Sequence, residues 1–170
     1  ANPTLTYVVT GFVNGDDETA AFTDRMPRSF ILHVGARGHV YDVIHRSYAG
    51  FNDHLDLHID VATPYLYAVL PYRVTAVTAA FEVAPSRSVT IAAAVRTSGR
   101  KPGRHVIHID VTDAAGRRRP EYDADVVAPN GSGTHVVEPA LNDPPGIWTI
   151  ELEDVATGTT ARSTFPVAAR

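Results

Sequence analysis

The chain reads as all-β, built of antiparallel sandwich units, and three observations carry that reading. Apolar and polar residues alternate with period two in several segments, clusters of turn-forming residues separate those segments, and the C-terminal stretch has the pattern of a closing hairpin. Leu55, Leu57, Ile59 and Val61 fall on one face of their strand, with Asp56, His58 and Asp60 on the other. One face is therefore core and the other wet, as in half-buried antiparallel sheets. Val89, Ile91, Ala93 and Val95 repeat the pattern, as do Ile107, Ile109 and Val111, and Trp148, Ile150 and Leu152.

From the N-terminus, Thr4 to Val13 is an extended stretch followed by the acidic loop Asn14-Gly15-Asp16-Asp17-Glu18. Gly35-Ala36-Arg37-Gly38 reads as a turn. Tyr65 to Leu70 is a strand that stops at Pro71, which has no N–H to give to a ladder. A fresh series of strands begins around Val74 to Val83, with turns expected at Pro85-Ser86, Ser98 to Gly103, Asp113 to Gly116, Pro129-Asn130-Gly131 and Asn142 to Gly146. Their spacing is close to the roughly 8 to 12 residues of sandwich proteins. At the end, Pro144-Pro145-Gly146 launches a strand through Leu152, Thr157-Gly158 reverses it, and Thr159 to Val167 returns. No window shows a capped amphipathic helical stripe, so little helix is expected.

Composition excludes several classes. The 170 residues are enough to bury a real core. The formal net charge of -4 and the scatter of the basic residues, apart from Arg117-Arg118-Arg119, argue against a nucleic-acid surface. Lysine appears once, at Lys101, against fourteen arginines, which decides nothing about partners. The absence of cysteine rules out disulfides, thiolate metal sites and a cysteine nucleophile. No apolar run reaches the roughly 18 to 20 residues of a membrane helix, so no membrane insertion is expected. The chain begins at Ala1 with no initiator Met, which reads as a processed form or a fragment.

A boundary falls near Leu70-Pro71-Tyr72-Arg73, dividing the chain into an accessory unit, 1–72, and a second sandwich, 73–170. The seam has no Gly-Ser run, so the two units are expected to pack rigidly in tandem. The first, at about 70 residues, depends on the second for stability.

Gly38-His39-Val40-Tyr41-Asp42-Val43, Ser47-Tyr48-Ala49-Gly50 and the strand into Leu70-Pro71-Tyr72 resemble the all-β accessory domain that follows the catalytic parts of secreted bacterial glycoside hydrolases, β-galactosidase-like proteins included. Val89 through His105-Val106-Ile107-His108-Ile109-Asp110-Val111, and Leu141 through Phe165, resemble the immunoglobulin-like sandwich often attached to it. The resemblance implies fold and an extracellular or cell-surface setting. It implies no activity, because the catalytic barrel of such enzymes is absent, and no catalytic residue is carried over.

The histidines are the best local candidates for chemistry. His54, Asp56, His58 and Asp60 share the polar face of one strand in steps of two residues, and two such neighbours can chelate a transition metal if another strand adds a third ligand. His108 and Asp110 make a similar pair, whereas His105 and His108 point to opposite faces. Asp16, Asp17 and Glu18 beside Gly15 could wrap calcium but lack the EF-hand spacing. Both sets also suit ordinary solvated residues, and neither a metal nor a cofactor is expected.

Serine, histidine and aspartate occur without a Gly-x-Ser-x-Gly elbow; Ser47, Ser98 and Ser132 lie in turns, and Glu151 and Glu153 are exposed neighbours on one strand. Tyr65 and Tyr67 share a strand face, and Tyr7, Tyr41, Tyr48, Tyr72 and Trp148 are scattered through other strands; such rings could stack on sugars or simply fill the core. Asn130-Gly131-Ser132 matches a glycosylation acceptor.

The expected function is that of a non-catalytic extracellular module that makes protein contacts, copies of itself included among the partners. One alternative is a self-assembling subunit of a filament or surface structure, in which the strand carrying Leu5, Tyr7 and Val9 adds to a neighbour's open sheet edge; the same pattern suits an ordinary first strand. A second is a carbohydrate-binding accessory domain, which requires an exposed aromatic platform beside polar side chains.

Overall fold

The computed structural model describes residues 6–10, 29–58 and 64–169. Among these, every regular element is a β-strand except one turn of 3-10 helix at Pro120–Tyr122. The strands are β1 (Thr6–Thr10), β2 (Ser29–Asp42), β3 (Ser47–His58), β4 (Tyr65–Leu70), β5 (Arg73–Val83), β6 (Val89–Ser98), β7 (His105–Thr112), β8 (Ala124–Ala128), β9 (Ser132–Val137), β10 (Gly146–Asp154) and β11 (Thr159–Val167). They form three antiparallel sheets, ordered β1-β4-β2-β3, β5-β6-β9 and β11-β10-β7-β8. The fold is an all-β sandwich.

Period-two patterning determines which residues meet. Val89, Ile91, Ala93 and Val95 from β6, Ile107, Ile109 and Val111 from β7, and Trp148, Ile150 and Leu152 from β10 are all buried in one apolar cluster. Phe165 of β11 lies opposite Trp148 in register, and their ring centroids are 6.2 Å apart. The hairpin between β10 and β11 turns where Thr157-Gly158 predicts. Gly158 has φ +67°, and a Cβ there would fall 2.5 Å from the Cβ of Arg46. Glycine therefore serves both the turn and the close approach of Arg46.

The first sheet has two apolar faces. Val40, Leu55, Leu57, Tyr67 and Val69 form a small cluster on one side. Tyr41, Ala68 and Leu70 join the sandwich core from the other, together with Tyr72 and Val74. This explains why β4 is an almost unbroken apolar run, as expected of a strand buried on both sides. β4 stops at Leu70 and β5 starts at Arg73, so the chain changes sheet at Pro71-Tyr72.

Gly35 to Gly38 departs from the sequence expectation. The segment does not reverse the chain but lies within β2, where the register against β3 shifts between His33 and Gly38 and Gly35 adopts φ +86°. The glycines absorb an irregularity in a long strand.

Core position and exposed position on one strand should respond very differently. Leu152→Ala is expected to cost about 2–5 kcal/mol, whereas Ile147→Ala, at a side chain 59% exposed, should stay within about 0.5 kcal/mol. Urea unfolding of both variants checks this; similar losses would contradict the assigned faces of β10.

Candidate functional site

A polar chain runs through the interior. His105, at the start of β7, is 1% exposed and places its Nδ1 2.7 Å from Asp154 Oδ1, at the end of β10 and 0% exposed. Its Nε2 lies 2.9 Å from the hydroxyl of Tyr72, which accepts the Gly103 backbone N–H at 2.8 Å. The Thr157 hydroxyl donates to Asp154 Oδ2 at 2.6 Å. The directions close consistently if Tyr72 donates to a bare Nε2 and Nδ1–H donates to the carboxylate. Burial raises the Tyr72 phenol pKa, so its proton stays in place. Every polar group in the chain is thereby satisfied without water.

A second network closes one end of the sandwich. Burial pushes the Asp113 carboxyl up, but the N–H groups of Arg117 and Ala115 and the Arg119 guanidinium outweigh it and hold the group below the usual carboxylate range. Arg119 also binds Asp143, which accepts the Tyr122 hydroxyl and the Ala140 N–H. The Arg119 guanidinium lies 5.6 Å from the Trp148 ring centroid. Arg87 joins this end to the β5-β6 turn by donating to the carbonyls of Ala140 and Asp143.

The surface carries a different grouping. His39 of β2 has its ring 4.8 Å from Phe51 and 5.9 Å from Tyr48, both on β3, and its Nδ1 lies 2.8 Å from the Tyr48 hydroxyl. Phe51 is 45% and Tyr48 39% exposed. Two guanidinium groups cap these rings: Arg37 lies 5.1 Å from the Phe51 centroid and donates to the Phe51 carbonyl, and Arg73 lies 4.8 Å from the Tyr48 centroid. Tyr41 backs Tyr48 at 5.1 Å, and its hydroxyl oxygen accepts the Val74 N–H. Burial first, then the charge of Arg73, lowers the pKa of His39.

A bulge assembles this patch. Tyr48 and Phe51 are three residues apart, and in a regular strand they would face opposite ways. Register runs from Tyr41↔Tyr48 to Val40↔Gly50, so Ala49 is the extra residue and both rings emerge on the His39 side. Gly50 takes φ +112° to allow it. The sequence signal was Ala49-Gly50 between two aromatics in a strand otherwise read by alternation.

The candidates named from sequence separate. Leu55 and Leu57 are buried while His54, Asp56 and His58 are exposed on β3; Asp60 lies outside the described residues. His54 pairs with the neighbouring Asp53, and His58 meets Ser29. Among the described residues no three His, Asp or Glu side chains gather in a way that could hold a metal ion. Asp16, Asp17, Glu18 and Leu5 lie outside the described residues. Tyr7 and Val9 belong to β1, whose backbone pairs with Ala68 and Leu66 of the same chain. His105 and His108 do face opposite ways: His108 is on the outer surface between Asp125 and Asp110.

No protein-family model matches the chain, and no curated protein matches it. Among solved structures it is similar to β-glucuronidase 2 of Bacteroides uniformis, at 11% identity and a TM-score of 0.35, covering 99% of this chain and 26% of that one. It is also similar to a protein described as a β-galactosidase of Bacteroides fragilis, at 13% identity and a TM-score of 0.27, covering 99% of this chain and 33% of that one. The chain thus spans a third or less of the length of these glycoside hydrolases, and no residue role passes from them.

Two tests follow from the polar groups. His105→Leu leaves the Asp154 carboxylate buried without its main partner and is expected to cost about 3–5 kcal/mol, with much of the loss recovered when Asp154→Leu is added. Additive losses in urea titrations would contradict the pairing. For His108, the bond to Asp125 leads, burial opposes it and Asp110 adds to it, leaving the imidazole pKa raised. Its stabilising contribution is full below about pH 6.5 and is lost as pH rises through the raised folded value. NMR titration should show Asp125→Asn lowering the His108 midpoint; an unchanged midpoint would contradict the assignment.

Proposed function

We propose that the chain is a non-catalytic interaction module, working outside the cell or at its surface, that meets protein partners through the patch of His39, Tyr48 and Phe51 capped by Arg37 and Arg73. That patch is the observation carrying the reading. Tyrosine and arginine dominate the energetics of protein interfaces, and here their side chains are ordered against one another before any partner arrives. The buried polar chain supports a non-catalytic role, since a general base must reach a substrate proton and His105 is 1% exposed.

Residues 73–170 are read as an immunoglobulin-like sandwich. Strands β5, β6 and β9 stand against β7, β10 and β11, with β8 beside β7. A constant-type domain would place that fourth strand in the other sheet. The extracellular setting rests on the resemblance in the sequence. Self-assembly by strand addition has less support, because β1 already pairs with β4 of its own chain. A sugar-stacking platform also has less support, because guanidinium groups cap the rings.

A photo-crosslinking amino acid placed at Tyr48, and separately at Leu141, which is 68% exposed, tests the reading in cells that make the protein. One discrete adduct from position 48, mapped by mass spectrometry to a defined peptide of another protein and absent from position 141, is expected. No adduct, or the same adducts from both positions, would overturn it.

A further inference from the structure

The capped rings also indicate what the partner must present. Phe51 has the Arg37 guanidinium over its ring and the tilted His39 ring beside it, and Tyr48 has Arg73 over its ring and the tilted Tyr41 ring beside it, which leaves less ring face on which a sugar could stack. The rings reach solvent by their remaining surface, and an aromatic ring is electropositive at its edge. The guanidinium groups reinforce that sign. Arg46, Arg117, Arg118 and Arg119 all meet carboxylates of this chain. Arg37 and Arg73 meet aromatic rings, and among the described residues neither makes a direct ion pair with a carboxylate, the charge of Asp53 acting on Arg37 only from farther off. The chain as a whole carries a net charge of -4, so the positive sign of this patch is local.

Resting on the interaction reading above, we propose that this patch binds an acidic peptide segment of a protein partner, with aspartate or glutamate carboxylates received by Arg37 and Arg73 against the edges of Phe51 and Tyr48. A guanidinium fork matches a carboxylate in two parallel hydrogen bonds, and stacking on a ring holds the fork in place beforehand. His39 spaces the two rings and, with its pKa lowered, adds no charge at neutral pH. An acidic glycan shares the carboxylate but would want a sugar-stacking face as well, and here each ring already has a guanidinium over it.

The test is an NMR titration of the full chain with N-acetylated hexaglutamate, run in parallel with polygalacturonate. Hexaglutamate is expected to shift the signals of Arg37, His39, Tyr48, Phe51 and Arg73, and the shifts should weaken as salt is raised. Arg37→Ala with Arg73→Ala should weaken the association about tenfold. Arg117→Ala with Arg162→Ala removes the same charge from exposed positions outside β2, β3 and β5 and should leave it unchanged. Equal weakening by both pairs, or shifts spread over the surface, would overturn the proposal, as would shifts from polygalacturonate alone. A crosslink at position 48 without any response to hexaglutamate would overturn the acidic partner while leaving the interaction module standing.

Discussion

His105 sits between Asp154 and Tyr72 with no access to water, and separate parts of the chain converge on it. Tyr72 belongs to the two-residue link between β4 and β5, His105 opens β7, Asp154 ends β10 and Thr157 lies in the turn into β11. A buried carboxylate is strongly unfavourable alone, so each partner must be present and correctly aimed. The surrounding apolar cluster supplies most of the favourable free energy, but many packings of similar side chains would satisfy it. The polar chain is satisfied by one arrangement. It holds the link that leaves the first sheet against the start of β7 and the end of β10.

That arrangement reaches the surface. Tyr41 takes part in the core and also accepts the Val74 N–H, across the same link. Arg73 follows Tyr72 directly, and its guanidinium lies over Tyr48 of the first sheet. The patch therefore draws on both sides of the Leu70 to Arg73 junction and exists only while they are held in register. Arg46, which meets Glu153 at 3.1 Å, adds a further contact beside Gly158. A rigid support of this kind lets side chains on a strand surface keep one geometry before a partner binds, which lowers the ordering cost of association.

Much of the fold was legible because half-buried strands leave a period-two record. Ile107, Ile109 and Val111, like Trp148, Ile150 and Leu152, could be placed inward from spacing alone, and the Thr-Gly hairpin followed from turn chemistry. The patch was not legible for the same reason. Tyr48 and Phe51 fall out of phase until Ala49 is bulged, and alternation cannot anticipate a bulge. His105 and Asp154 are 49 residues apart, and their pairing depends on β7 lying beside β10, which no local pattern reveals. Gly35 to Gly38 misled because glycine marks an irregular strand as readily as a turn.

The most direct measurement is the protonation pattern of the His105 ring, read from long-range proton-nitrogen correlations of the intact protein at neutral pH. The polar chain requires a neutral ring with the proton on Nδ1, bare Nε2, and slow exchange of that proton with water. A proton on Nε2, or a signal averaged between tautomers by fast exchange, would contradict the directed chain from Tyr72 to Asp154 and with it the account of how the link after β4 is locked to β7 and β10.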